Sequence, residues 1–137
     1  MKTYSNLQEV FDTAVAGLAS QDFKPSVNKY GSCRYRGRGG RRCAIGWCIP
    51  DKLYKRGMEG KIVDGIVEYS KGIKRLFSKI DPAKLAALQF CHDVARYSSS
   101  PSASKNAMID NLRIFAKKNK LRMPKVLHLK TLEGEQT

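Results

Sequence analysis

The sequence predicts an α+β fold, in which a small β-hairpin packs among four to six short helices in a single domain. Apolar residues recur at helical spacing in several separate segments. Two short β-prone runs flank a glycine cluster at residues 37–40. The length of 137 residues and the hydrophobic fraction of 42% suit one modest core. We expect residues 1–130 to form this domain and residues 131–137 to be a frayed tail.

In the first half of the chain, the sequence predicts one helix followed by the hairpin. A capping-box pattern at Ser5 and a helical apolar stripe predict a helix at about residues 6–20. Residues 33–36 and 42–49 are the predicted strands, with a solvated, arginine-rich tip between them. Pro50 ends the second strand because proline cannot donate to the ladder.

The middle of the chain predicts short helices. Asp51 is expected to cap the first of them, which runs to Arg56. Apolar spacing predicts two more at about residues 62–69 and 73–80. Asp81-Pro82 is a typical helix start, with an N-cap followed by proline at the first helical position.

In the last third of the chain, the sequence predicts a loop, a helix and a basic tail. Serine and proline at residues 97–104 indicate a loop, and apolar spacing at 108–116 indicates the last helix. Pro124 is expected to stop that helix. Residues 113–130 contain seven lysines and arginines and no acid.

The charge of the chain points to a polyanionic partner. Lys and Arg number 26 against 12 Asp and Glu, which gives a net charge of +14. Nucleic acid is the first candidate, an acidic protein surface the second and anionic lipid the third. Residues 29–42 contain six basic residues and no acid, and their glycines permit a nest of backbone N–H groups that would bind an anion. The alternative is a soluble hairpin tip whose charges prevent edge pairing.

The candidate nucleic-acid contacts fall in two basic segments. They are Arg34, Tyr35, Arg36, Arg38, Arg41 and Arg42 in the loop, and Lys117, Lys118, Lys120, Arg122 and Lys125 in the tail. Phosphate contacts position a protein without reading sequence, so we expect little base specificity. An aromatic residue between arginines is typical of single-strand binders, although Tyr35 has inward packing as its alternative. Trp47, surrounded by apolar residues, is expected in the core.

The cysteines and histidines suggest a zinc site that their spacing does not favour. The potential ligands are Cys33, Cys43, Cys48, Cys91, His92 and His128. No C-x-x-C pair is present, and Cys43 and Cys48 would face opposite sides of a regular strand. We therefore expect buried, reduced thiols, with no metal and no cofactor.

Catalysis is likewise not expected. His92-Asp93 has the form of an oriented general base, but the adjacent Cys91 would diverge from His92 by about 100° on a helix. No nucleophile and base have the mutual placement that acid–base chemistry requires. The sequence thus predicts a protein that is not an enzyme.

Membrane association is not expected either. No apolar run approaches the roughly 20 residues that a membrane span requires. The N-terminus lacks the apolar core of a signal peptide, so we expect the protein to remain in the cytosol where it is made.

Four segments resemble a family of small tailed-phage proteins. The segments are Cys33-Arg-Tyr-Arg-Gly37, Cys43-Ala-Ile-Gly-Trp-Cys-Ile-Pro-Asp51, Met58-Glu-Gly60 and Leu88-Gln-Phe-Cys-His-Asp93. They are similar to the family's Y-R-G turn, C-A-x-G-x-x-I-P-D segment, M-E-G turn and L-Q-x-x-H-D helix. The resemblance implies a viral origin and expression in the cytoplasm of a bacterial host. The family is uncharacterised and supplies no catalytic residues.

The sequence therefore favours a phage-encoded accessory protein that binds nucleic acid through the Arg/Gly loop and the basic C-terminal segment. The alternative is a host-takeover protein that binds and inhibits an acidic surface of a bacterial enzyme, because charge would steer either association.

Overall fold

The structure, a computed structural model, describes residues 3–128 and consists of α-helices joined by single 3-10 turns and loops. The helices are α1 (Leu7–Ser20), α2 (Ala44–Cys48), α3 (Val63–Tyr69), α4 (Lys71–Leu76), α5 (Pro82–Asp93) and α6 (Pro101–Lys118). The 3-10 turns are Arg38–Gly40, Asp51–Leu53, Arg56–Met58 and Val94–Tyr97. Residues 125–128 are also helical. The predicted tail at 131–137 lies outside the described residues.

The predicted α+β class is wrong, because the fold is all-α over the residues that the structure describes. The β pairing found there consists of two isolated antiparallel bridges, Val27–Cys33 and Arg36–Arg42, and no sheet forms. The predicted second strand, residues 42–49, instead contains α2. Nearly every residue of α2 is buried, so its apolar run lacks the periodicity that separates a strand from a helix.

Two glycines allow α2 to approach its neighbours closely. A Cβ at Gly46 would lie 2.2 Å from the carbonyl oxygen of Tyr35, and one at Gly17 of α1 would lie 2.2 Å from Cγ of Trp47. The helix therefore lies directly against the Tyr35 backbone on one side and against α1 on the other. Trp47 is half-buried between α1 and solvent, which is less complete than the core position predicted for it.

The central helix α1 begins close to its predicted position. Its N-cap is Asn6, whose side chain accepts a hydrogen bond from Glu9 N at 3.0 Å, while Glu9 Oε1 accepts one from Ser5 N at 2.7 Å. Glu9 thus reaches back to the residue before the N-cap, in an arrangement similar to a capping box and one residue later than the predicted one.

The helix start at Asp81-Pro82 is confirmed, since Asp81 Oδ1 accepts a hydrogen bond from Ala83 N at 2.9 Å. The same kind of start, Ser100-Pro101, opens α6 seven residues before the predicted position, within the expected loop at 97–104. Here the capping signal of a serine followed by proline prevailed over the loop-like composition.

The buried side chains of these elements form one cluster. Phe11 of α1 and Phe115 of α6 stack at its centre, with ring centroids 5.7 Å apart. Among the described residues, no helix is both long enough and apolar enough to span a membrane.

Candidate functional site

The arginine-rich loop at residues 34–42 is a closed turn. Gly37 N donates to Arg41 O at 2.8 Å, next to the Arg36–Arg42 bridge. Gly39 and Gly40 have φ values of 68° and 77°, in the left-handed region that favours glycine. The glycines thus permit the tight turn that joins Arg36 to Arg42.

Glu59 fastens the start of the loop to the body of the protein. Its Oε1 accepts a hydrogen bond from Tyr35 N at 2.9 Å, and its Oε2 accepts from Arg36 N at 3.0 Å. The hydroxyl of Tyr54 donates to the same carboxylate at 2.7 Å, and Arg34 Nε lies 3.5 Å from Oε1. Charge-assisted bonds of this kind are among the stronger hydrogen bonds in proteins, so Glu59 fixes the direction in which the loop leaves the body.

Besides Arg34, three more of the predicted loop contacts are engaged within the protein. Tyr35 is 6% exposed, and its hydroxyl donates to Lys61 O at 2.6 Å, so its ring does not present a face for stacking. Arg36 and Arg42 pair with Asp51 at 2.8 and 3.2 Å. These residues shape the loop, and their charge is partly balanced.

The same two arginines also stack on aromatic rings. The guanidinium carbon of Arg36 lies 4.6 Å from the Tyr54 ring centroid, and that of Arg42 lies 4.8 Å from the Trp47 ring. Such contacts contribute about 0.5–1 kcal/mol at exposed sites. They restrict both side chains on the face of the loop that meets the body.

Arg38 and Arg41 form no ion pair or side-chain hydrogen bond with any described residue, and Arg38 is exposed. Arg38 lies at the edge of a concavity of about 370 Å³, which we name the basic basin. The basin is lined by Val27, Asn28, Lys29, Arg34, Arg36, Gly37 and Arg38. It therefore has four cationic side chains in its wall and no acidic one. Lys29 was missed as a site residue, although the basic run that begins with it was the available signal.

The cations of the predicted C-terminal contact segment are exposed. They are Lys117, Lys118, Lys120, Arg122 and Lys125, and none forms an ion pair within residues 3–128. Gln8 of α1 fixes the segment, because its amide accepts from Arg122 N at 2.8 Å and donates to Arg122 O at 3.1 Å.

The two basic segments contact opposite faces of α1. The C-terminal segment shares a groove with Asp12 and Ala19, whereas Gln21 contacts the backbone of Arg42 and the indole of Trp47. Gln21 is the C-cap of α1, and Gly17 within the helix also lies against Trp47. At about 100° per residue, Gly17 lies roughly 140–160° around the helix from Asp12 and Ala19. The structure does not bring the loop and the tail together into one surface.

A hydrogen-bond network occupies the place where three potential metal ligands meet. The donor atoms of Cys33, His92 and Asp93 all lie within 4.8 Å of one another. His92 Nε2 accepts from Ser26 N at 2.9 Å, which assigns the ring proton to Nδ1, and Nδ1 donates to Asp93 at 2.9 Å. Neither ring nitrogen of His92 is therefore free to bind a metal ion.

The thiol of this network is neither a ready ligand nor a ready nucleophile. Burial, together with the Asp93 carboxylate, raises the pKa of Cys33 to about 12, so the thiol stays protonated at neutral pH. Arg96 also donates to its sulfur at 3.0 Å and places a positive charge beside it. The remaining predicted zinc candidates, Cys43, Cys48, Cys91 and His128, do not join this cluster.

Comparisons of the chain with protein-family models, with curated proteins and with solved structures find no match. The resemblance to small tailed-phage proteins therefore stays a prediction.

Proposed function

We propose that the protein binds nucleic acid through its phosphate backbone, with the basic basin as the principal contact. The observation that carries this proposal is the lining of the basin, which contains four cationic side chains and no acidic one. Arg34 and Arg36 pair with acids outside the lining, so Lys29 and Arg38 supply its unbalanced charge. Arginine and lysine in a concave surface concentrate positive potential and attract phosphate. The net charge of +14 adds a long-range attraction of the same sign.

The contacts of the loop suggest a division of roles among its arginines. Arg36 and Arg42 hold the loop through Asp51 and the aromatic rings. Arg38 and Arg41 carry charge that no described acidic side chain balances, and they would contact phosphate. Tyr35 would serve the structure through its bond to Lys61.

The C-terminal cations would form a second, weaker contact. Since this segment and the loop meet opposite faces of α1, a strand that touched both would have to pass around the protein. Contacts of this kind do not read bases, and we therefore infer little sequence preference. By the resemblance, we place this activity in a phage accessory protein within the bacterial cytoplasm.

Two double variants with equal reduction of charge test the proposal. We expect Lys29→Ser with Arg38→Ser, which removes the two basin cations that no described acid pairs with, to weaken binding of a labelled oligonucleotide by roughly tenfold or more, since each bond from such a cation to phosphate contributes on the order of 1 kcal/mol. Lys117→Ser with Lys118→Ser is the matched control and should weaken binding less. Fluorescence anisotropy at one fixed salt concentration measures both.

Equal weakening in the two variants would show that only total charge matters, and unchanged binding by the first would remove the basin from the site. If the wild-type protein bound no oligonucleotide and retained an acidic protein from nuclease-treated bacterial lysate, the host-protein alternative would replace this proposal.

A further inference from the structure

A second concavity lies beside the basic basin. It has a volume of about 550 Å³, within the range of ligand sites in proteins. Its walls come from residues 32–35, Cys43, residues 60–63, one face of α5 from Ala86 to Asp93, and Arg96. We name it the α5 cleft. Arg34 lines both the α5 cleft and the basic basin, so the two concavities adjoin.

The charge of the α5 cleft is mainly positive. Arg34, Lys61 and Arg96 line it, and Asp93 is the one acid in its wall. The Asp93 carboxylate already accepts hydrogen bonds from His92 Nδ1 at 2.9 Å and from Gln89 Nε2 at 2.7 Å. The carboxylate is thus engaged within the protein, and three cations against one acid leave the cleft with a net positive charge that suits a ligand attached to an anionic group.

Two apolar side chains in the wall of the cleft remain open to solvent. Phe90 on α5 is 62% exposed, and Ile62 before α3 is 75% exposed. An exposed aromatic ring next to cations is the arrangement on which the bases of single-stranded nucleic acid stack. Phe90 therefore offers the platform that the buried Tyr35 does not.

We propose that the α5 cleft takes an unpaired nucleobase, stacked on Phe90, from a strand whose phosphates lie in the basic basin. This inference rests on the proposed function and makes it specific to single-stranded nucleic acid, since a paired base cannot enter the cleft without leaving its duplex. Arg34, at the boundary of the two concavities, would contact the phosphate that joins them. The polar atoms of Gln89 are already bonded to Ile45 N and Asp93, so the cleft takes bases without choosing among them.

The test compares a labelled oligothymidylate with a duplex of the same length by fluorescence anisotropy. We expect Phe90→Ala to weaken binding of the single strand by about five- to thirtyfold, because the stacking platform is removed. Binding of the duplex and the dependence of single-strand affinity on salt should not change, since every phosphate contact is kept. Phe90→Tyr keeps a ring and should bind like the wild type.

Ile114→Ala is the matched control, because Ile114 is 63% exposed on α6, outside the cleft. It should bind both probes like the wild type. Circular dichroism would check that each variant is folded, as expected for substitutions at exposed positions. If Phe90→Ala bound the single strand as well as wild type, or weakened binding of both probes equally, the cleft assignment would be overturned while the basin stood. Binding of neither probe by the wild type would overturn both proposals.

Discussion

Gln89 joins two helices through its side-chain amide. Its Oε1 accepts from Ile45 N in the first turn of α2 at 2.9 Å, and its Nε2 donates to Asp93 at 2.7 Å. Asp93 also accepts from His92, whose other ring nitrogen accepts from Ser26 N. This series of bonds fixes α2 and the backbone at Ser26 against α5. The sequence indicated the His92-Asp93 pair. It did not indicate the bonds to Ser26 and Ile45, because residue spacing within a segment does not predict contacts with distant segments.

The network lowers the pKa of Asp93. Burial raises that pKa, but the hydrogen bonds from His92, Cys33 and Gln89 outweigh it, and the pKa lies below its ordinary value of 3.8. A carboxyl group whose pKa is lower in the folded state stabilises the fold above its unfolded pKa. That stabilisation disappears as the pH falls through the folded value.

We predict that Asp93→Asn lowers the free energy of unfolding at pH 7 by about 1–3 kcal/mol, because charge-assisted bonds are removed. The difference from wild type should begin to shrink below about pH 4, where the carboxyl of the unfolded chain takes up its proton, and it should be lost below the lower pKa of the folded state. Urea unfolding between pH 7 and pH 2 measures this. Asp110→Asn removes an exposed carboxylate from α6 and should change stability by less than about 0.5 kcal/mol. A constant difference between Asp93→Asn and wild type at every pH would contradict this account of Asp93.

At the scale of the elements, α2 is a helix that the sequence predicted as a strand. The segments that form α1, α3 and α5 have apolar spacing or capping residues that predict helices, and helices form there. The segment 43–49 is apolar on every side, and its conformation depends on contact with Tyr35 and with α1. Those contacts are long-range, and no local pattern encodes them. The basic basin depends on the same contacts, because α2 fixes the end of the loop.

We predict that Gly46→Ala destabilises the fold by about 1–3 kcal/mol, the usual cost of overpacking, since the added Cβ would meet backbone atoms of Tyr35. Gly65→Ala is the matched control within α3, where the nearest atom is the Cβ of exposed Lys61 at 3.3 Å. There a small shift of Lys61 makes room, and the higher helix propensity of alanine offsets part of the cost. Thermal or urea unfolding compares the two variants. Equal stabilities of the two variants would contradict the close packing of α2 on Tyr35.

For the whole molecule, the positions of the charged side chains locate the proposed binding surface, which the net charge alone does not. The basic runs were evident from the sequence, and so was the preference for a polyanion. The sequence did not indicate that Asp51 and Glu59 hold three of the loop arginines, or that loop and tail meet opposite faces of α1. Both facts follow from the tertiary fold, and they narrow the proposed contact from eleven residues to a compact basin.

The dependence of affinity on salt tests this central claim most directly. Each phosphate that a cationic side chain neutralises releases condensed counterions, so the slope of log affinity against log salt measures how many phosphates the protein neutralises. The measurement compares wild type with the variant carrying Lys29→Ser and Arg38→Ser, the two unpaired cations of the basin, on one oligonucleotide. We predict that the slope becomes less steep by about 0.7–0.9 for each phosphate that the variant no longer neutralises, while thermal stability is unchanged. An unchanged slope would contradict the account, because the unpaired cations of the basin would then neutralise no phosphate.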